Sequence, residues 1–120
     1  MRSPGALAYV GCVVSFTIKR NDTAPAYTAT LTDEDDEVVD LTDATVTFTM
    51  TLVGATTPKV SAEADVVSAE DGTVSYSWGE TDTDTAGLYR AEFEVTFEDL
   101  SVRTFPARDY FYVNIVADLA

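Results

Sequence analysis

The sequence predicts an all-β fold, an antiparallel β-sandwich of seven to eight strands. Apolar and polar residues alternate with period two through most of the chain, which is the pattern of strands with one buried face. Turn signals recur every 8 to 12 residues, and no segment holds a helical period. At 120 residues the chain is one domain's worth, and a chain of this size buries roughly two-thirds of its unfolded surface without metals or disulfides.

The elements follow in order. Val14, Phe16 and Ile18 alternate with Ser15, Thr17 and Lys19, and Asn21-Asp22 ends that strand with a turn. Tyr27, Ala29 and Leu31 alternate with Thr28, Thr30 and Thr32 before the acidic turn Asp33–Glu37. Val46, Phe48, Met50 and Leu52 alternate with Thr45, Thr47, Thr49 and Thr51, and β-branched threonine suits the wet face of a sheet. Gly54 to Pro58 breaks this run, and Val60, Ala62, Ala64 and Val66 form the next inward set. Glu70-Asp71-Gly72 is a tight turn with a glycine available for positive φ. Val74, Tyr76 and Trp78 then face inward, as do Tyr89, Ala91, Phe93, Val95 and Phe97. A turn at Glu98-Asp99 leads into Ser101–Phe105, and Phe111, Val113 and Ile115 close the fold. Short strands at this spacing fit an immunoglobulin-like sandwich over residues 13–120, preceded by an N-terminal arm over 1–12.

Charge removes several function classes. There are 21 acidic residues against 7 basic ones, a net charge of −14. A nucleic-acid binder works by neutralising phosphates and releasing counterions, so nucleic acid is excluded as a partner. An anionic lipid surface is disfavoured for the same reason. The chain has no histidine, which excludes histidine triads, histidine-ligated zinc and histidine pH switches. A single cysteine, Cys12, excludes an intrachain disulfide and a thiolate zinc cluster, and is expected as a small buried or interfacial apolar residue. The apolar stretch Gly5–Val14 is about half the roughly 20 residues of a membrane helix, so no membrane span is expected. Met1-Arg2 followed by Ala6–Val10 imitates a signal peptide, but Pro4 and Gly5 interrupt it, and an arm is the preferred reading.

Acid is spread along the whole chain, lysine is limited to Lys19 and Lys59, and 18 threonines fill the polar positions. Such a fold repels itself at low ionic strength, and at molar salt the Debye length of roughly 3 Å removes most of that repulsion. This composition resembles proteins of extremely halophilic archaea and their viruses. The plainer reading is an acidic surface that serves solubility alone.

Two stretches carry resemblances. Asp84-Thr85-Ala86-Gly87-Leu88-Tyr89-Arg90-Ala91 resembles the start of strand F in immunoglobulin domains. The resemblance makes Asp84 and Tyr89 a tyrosine corner, whose phenol bonds back to nearby backbone, with Ala91 where a disulfide cysteine would stand. The second covers Phe16 to Ile115. Its features are Asn21-Asp22-Thr23-Ala24-Pro25, Leu31-Thr32-Asp33, Val39-Asp40-Leu41-Thr42-Asp43-Ala44, Val46-Thr47-Phe48 and Gly72–Trp78. Asp82-Thr83-Asp84-Thr85-Ala86-Gly87-Leu88-Tyr89-Arg90-Ala91-Glu92-Phe93 and Thr104-Phe105-Pro106 are the specific part. Together they look like the N-terminal domain of the baseplate upper protein family of tailed phages, and are similar to small stand-alone virion proteins with the same module. The resemblance implies an immunoglobulin-like, non-enzymatic docking domain in the virion, with other capsid, tail or baseplate subunits as partners, in many copies. The glycine usual in the acidic turn is replaced by Asp36-Glu37, which implies a longer hairpin there.

Other chemistries are weaker. Two carboxylates could flank a sugar for hydrolysis, but the acids lie on polar strand faces and in turns, where solvated charge explains them. Asp33-x-Asp35-x-Glu37 begins like a calcium loop, yet Val38 replaces its glycine and Ala44 its closing glutamate. Glu80, Asp82 and Asp84 could hold a cation in a loop, although a solvated turn is the plainer reading; no catalytic residue, metal or cofactor is assigned. Asn21-Asp22-Thr23 is a glycosylation sequon, used only on a chain that crosses a membrane. Trp78, Tyr76, Phe93 and Tyr89 are expected in the core. If Phe111 points inward, Tyr110 and Tyr112 point outward and suit a subunit interface. Leu7, Tyr9 and Val10 make the arm apolar enough to bind a neighbouring subunit, or to complete this domain's own sheet. The alternative from another class is a carbohydrate- or cell-surface-binding module, which needs exposed aromatics.

Overall fold

The computed structural model describes residues 15–106 and 110–119. The described regular elements are strands, β1 (Ser15–Lys19), β2 (Tyr27–Thr30), β3 (Thr45–Leu52), β4 (Val60–Ser68), β5 (Thr73–Tyr76), β6 (Gly87–Thr96), β7 (Val102–Phe105) and β8 (Phe111–Val116). They form one eight-stranded sheet in the order β1-β8-β6-β3-β4-β5-β2, with β7 paired to β6. The expected arm, including Leu7, Tyr9, Val10 and Cys12, lies outside the described residues, as does Val14.

The expected purely antiparallel sheet is corrected in one place. β1 runs parallel to β8, in register from Ser15↔Tyr112 to Lys19↔Val116. Alternation fixes which face of a strand is buried, but not the direction of its neighbour. A parallel pair needs a long connection, and nearly the whole chain supplies it here.

Two strands change partner along their length. β6 pairs with β8 over Gly87–Ala91 and with β7 over Phe93–Thr96, so β7 and β8 lie end to end along one side of it. β4 pairs with β3 up to Ala64 and with β5 from Asp65, with a register shift between Val66 and Ser68. An irregularity of this kind bends and twists a strand. Here it turns the sheet back on itself, almost into a barrel, so β5 and β2 cover the inner faces of β3 and β6. The rings prove the closure: Tyr27 of β2 lies 5.9 Å from Phe93 of β6, and Phe48 of β3 stacks 4.5 Å from Tyr76 of β5. Phe16 on β1 meets Tyr27 at 5.1 Å, which brings the two ends of the strand order together over the core.

The inward set forms that core. Phe48, Met50, Val74, Ala91, Phe93, Val95, Phe105 and Val113 are fully buried, and Trp78 is 5% exposed. One expected inward residue is corrected: Ala62 is exposed although it pairs with Phe48. The first half of β4 has a neighbour on one side only, and a methyl is too short to reach under cover.

The turns follow side-chain chemistry. Asp33 Oδ1 accepts the backbone N–H of Asp35 at 2.8 Å and of Glu37 at 3.1 Å. Asp36 takes the left-handed conformation itself, at φ 63°, so the acidic turn stays tight without the glycine. Gly72 is different. A Cβ there would stand 2.7 Å from the Val39 carbonyl oxygen and 2.9 Å from that of Leu31, at φ 67°.

Candidate functional site

The outer face of β3 and β6 carries a groove lined by charged and hydroxyl side chains. Inward Phe93 and Ala91 force their neighbours Glu92 and Arg90 to the other face. Register sets Arg90 opposite Thr51 and Glu92 opposite Thr49. The β3–β4 loop adds Ala55 and Thr56, and Tyr110 comes in just before β8. These residues line a half-open groove of about 330 Å³.

The charges in the groove are held unusually. Arg20, Lys59 and Arg103 are each committed to an ion pair, with Asp118, Asp84 and Glu34. Arg90 has no carboxylate within ion-pair distance among the described residues. Its guanidinium lies over the Tyr110 ring, 5.0 Å from the centroid, and its Nε is buried without a hydrogen-bond partner. Burial pushes the Glu92 carboxyl above its ordinary range; Arg90 pulls it back and Glu94 adds to the rise.

The resemblance residues sit at one end of the same strand. Tyr89 is 1% exposed, and its hydroxyl donates to the Thr85 carbonyl at 2.7 Å. Asp84 is exposed; its Oδ1 accepts from Lys59 Nζ at 2.5 Å and from the Thr85 hydroxyl at 2.9 Å. These bonds hold the Asp84 carboxyl below its ordinary range. Asp82 accepts from the Tyr76 hydroxyl at 2.5 Å and from the Gly79 N–H at 2.7 Å. The buried Thr83 hydroxyl donates to the Asp22 carbonyl. Asp82 and Asp84 are thus spent on holding the loop before β6. Among the described residues, no three acids, cysteines or histidines come together to hold a metal ion.

The two tyrosines expected at an interface are both half-buried. Tyr110 lies under Arg90, and Tyr112 stands in register with Arg90 across the β6–β8 ladder. The core aromatics Trp78, Tyr76, Phe93 and Tyr89 are all buried.

No family model matches the chain, and no curated protein matches it.

Sequence reasoning missed Arg90 and Glu92. Alternation does place both on the outer face. Only the register, which brings Thr49 and Thr51 alongside, makes them part of one groove. No described helix is long and apolar enough to cross a membrane.

Proposed function

We propose that the chain is a non-enzymatic structural protein of a tailed virus particle, a component of capsid, neck, tail or baseplate that docks onto neighbouring subunits. The observation that carries this reading is the placement of the resemblance residues. Asp82–Phe93 and Thr104-Phe105-Pro106, separated in sequence, meet where Phe93 pairs with Phe105, both fully buried. The stretch with the most specific resemblance is therefore also structural framework.

The strand order supports an immunoglobulin-like sandwich. β1, β8, β6, β3 and the first half of β4 make one wall; the second half of β4, with β5 and β2, makes the other. Docking has surfaces to use. Among the described residues, β1, β2 and β7 each have a ladder partner on one side only. Such an edge can accept an added strand, such as the arm of a neighbouring copy. Many copies make weak contacts collectively strong. Trp78, Tyr76, Phe93 and Tyr89 are buried and offer a sugar no exposed platform, which favours docking over a carbohydrate module as the main role. The acidic, lysine-poor composition adds the proposal that the host is a halophilic archaeon.

Mass spectrometry of purified virus particles tests the reading. The chain should be present at fixed stoichiometry with the capsid or tail subunits. Its absence from washed particles, or its presence only in soluble lysate, would overturn the proposal.

A further inference from the structure

The geometry points to a second property, independent of docking: the groove on the outer face of β3 and β6 binds a neutral sugar residue, whose hydroxyls are recognised by Arg90 and Glu92.

Size comes first. At about 330 Å³ the groove lies at the small end of ligand sites, enough for one sugar ring and too small for a longer ligand to be enclosed. Charge comes next. The lining carries one cation and one anion, Arg90 and Glu92, so its charges cancel. A free anion is repelled by a chain of net charge −14, and a cation would have to sit beside the guanidinium. A neutral ligand meets neither penalty.

Hydrogen-bonding capacity then selects hydroxyls. Arg90 is a pure donor, ionised Glu92 a pure acceptor, and the hydroxyls of Thr49, Thr51 and Thr56 do both. Arg90 and Glu92 stand two residues apart on one strand, roughly 7 Å along it. A ligand spanning them must accept at one end and donate at the other, and a ring of hydroxyls does this in any orientation. Stacking on Tyr110 keeps the guanidinium plane fixed with no carboxylate of the described residues at ion-pair distance; Nε is buried, so the terminal Nη groups are the donors left to meet a ligand. The methyl groups of Ala55 and the threonines supply apolar contact for the C–H face of a ring.

Saturation-transfer NMR on the full chain tests this, with methyl glycosides of neutral hexoses as one probe set and an acetylated acidic tripeptide as the other. The wild type should show transfer to at least one neutral glycoside. Arg90→Ala and Glu92→Gln should each weaken that binding about tenfold or more, because each removes a charged hydrogen-bonding partner. Thr28→Ala, on β2 away from the groove, should leave it unchanged. Thermal melts confirm folding, and Thr49→Val replaces Arg90→Ala should that variant fail to fold. Absence of transfer to every neutral glycoside overturns the inference. So does binding that survives both groove substitutions, or a preference for the acidic peptide, which would make Arg90 a carboxylate receptor. None of these outcomes depends on whether the chain co-purifies with particles.

Discussion

Deleting one hydroxyl should have opposite effects at two buried tyrosines. Tyr89 Oη donates to the Thr85 carbonyl at 2.7 Å, whereas Tyr27 Oη is buried with no hydrogen-bond partner. In both cases phenylalanine keeps the ring and its packing. Tyr89→Phe loses a net hydrogen bond of about 0.5–1.5 kcal/mol. Thr85 is exposed, so water can reach its freed carbonyl and the loss should be about 1 kcal/mol. Tyr27→Phe instead removes an unsatisfied buried polar group, which costs about 1–3 kcal/mol where it stands. That variant should be stabilised by about 1 kcal/mol or more. Burial alone holds the Tyr27 phenol well above the ordinary range, consistent with its lack of a partner. Unfolding entropy near 2.1 cal/mol/K per residue makes 1 kcal/mol worth about 4 °C in Tm for a chain of this length. Thermal melts and urea titrations of the two variants read both signs, with unchanged urea slopes showing that compactness is the same. Shifts in the same direction, or a Tyr89→Phe protein as stable as wild type, would refute the hydrogen-bond assignments.

Four further outcomes are expected. Phe48→Ala should cost about 3–5 kcal/mol, since Phe48 is fully buried and its ring lies 4.5 Å from Tyr76 and 5.2 Å from Phe93; urea denaturation measures it. Gly72→Ala should destabilise by about 1–3 kcal/mol in the same assay, because the added methyl meets two backbone carbonyl oxygens at positive φ. Glu92→Gln should raise Tm modestly at pH 7. The folded-state pKa of Glu92 is raised, so its ionisation opposes folding as pH rises through that value, and the gain should vanish below the ordinary glutamate pKa. Tm should climb as potassium chloride is raised to molar levels; a flat profile beyond about 0.2 M would make the acidity a matter of solubility only.

The all-β class and the buried face of most strands were legible because alternation is a local property. In β3, threonine marks the wet face so regularly that the buried trio Val46, Phe48 and Met50 can be named from sequence. Gly72 was legible too, since a turn between two alternating runs needs positive φ and glycine supplies it. The parallel seam between β1 and β8 was not, because nothing in Ser15–Lys19 records the direction of a strand nearly a hundred residues away. Asp36 shows the limit of reading turns by residue type. A missing glycine points to a longer loop, but the Asp33 carboxylate organises the turn and Asp36 accepts the left-handed conformation. The groove failed for the same reason as the seam. Arg90 and Glu92 look like ordinary surface charges until the register sets Thr49 and Thr51 beside them.

The charge and the docking proposal constrain each other. A single chain carries −14, and among the described residues only Arg20, Lys59 and Arg103 are in ion pairs. Pairs at the surface, partly or fully exposed as these are, contribute about 0–1 kcal/mol each, so they do not offset the self-repulsion. Placing many such chains side by side in a particle multiplies that repulsion across every contact. Two arrangements avoid it. Either the medium holds enough salt to shrink the screening length to about 3 Å, below the separation of neighbouring surface charges, or each copy sits on a cationic subunit and touches its own kind little. The first makes assembly collapse on dilution into low salt; the second makes it tighten there, because attraction between unlike charges strengthens as screening falls. On the docking proposal, particle stability across salt therefore reports what this acidic surface faces.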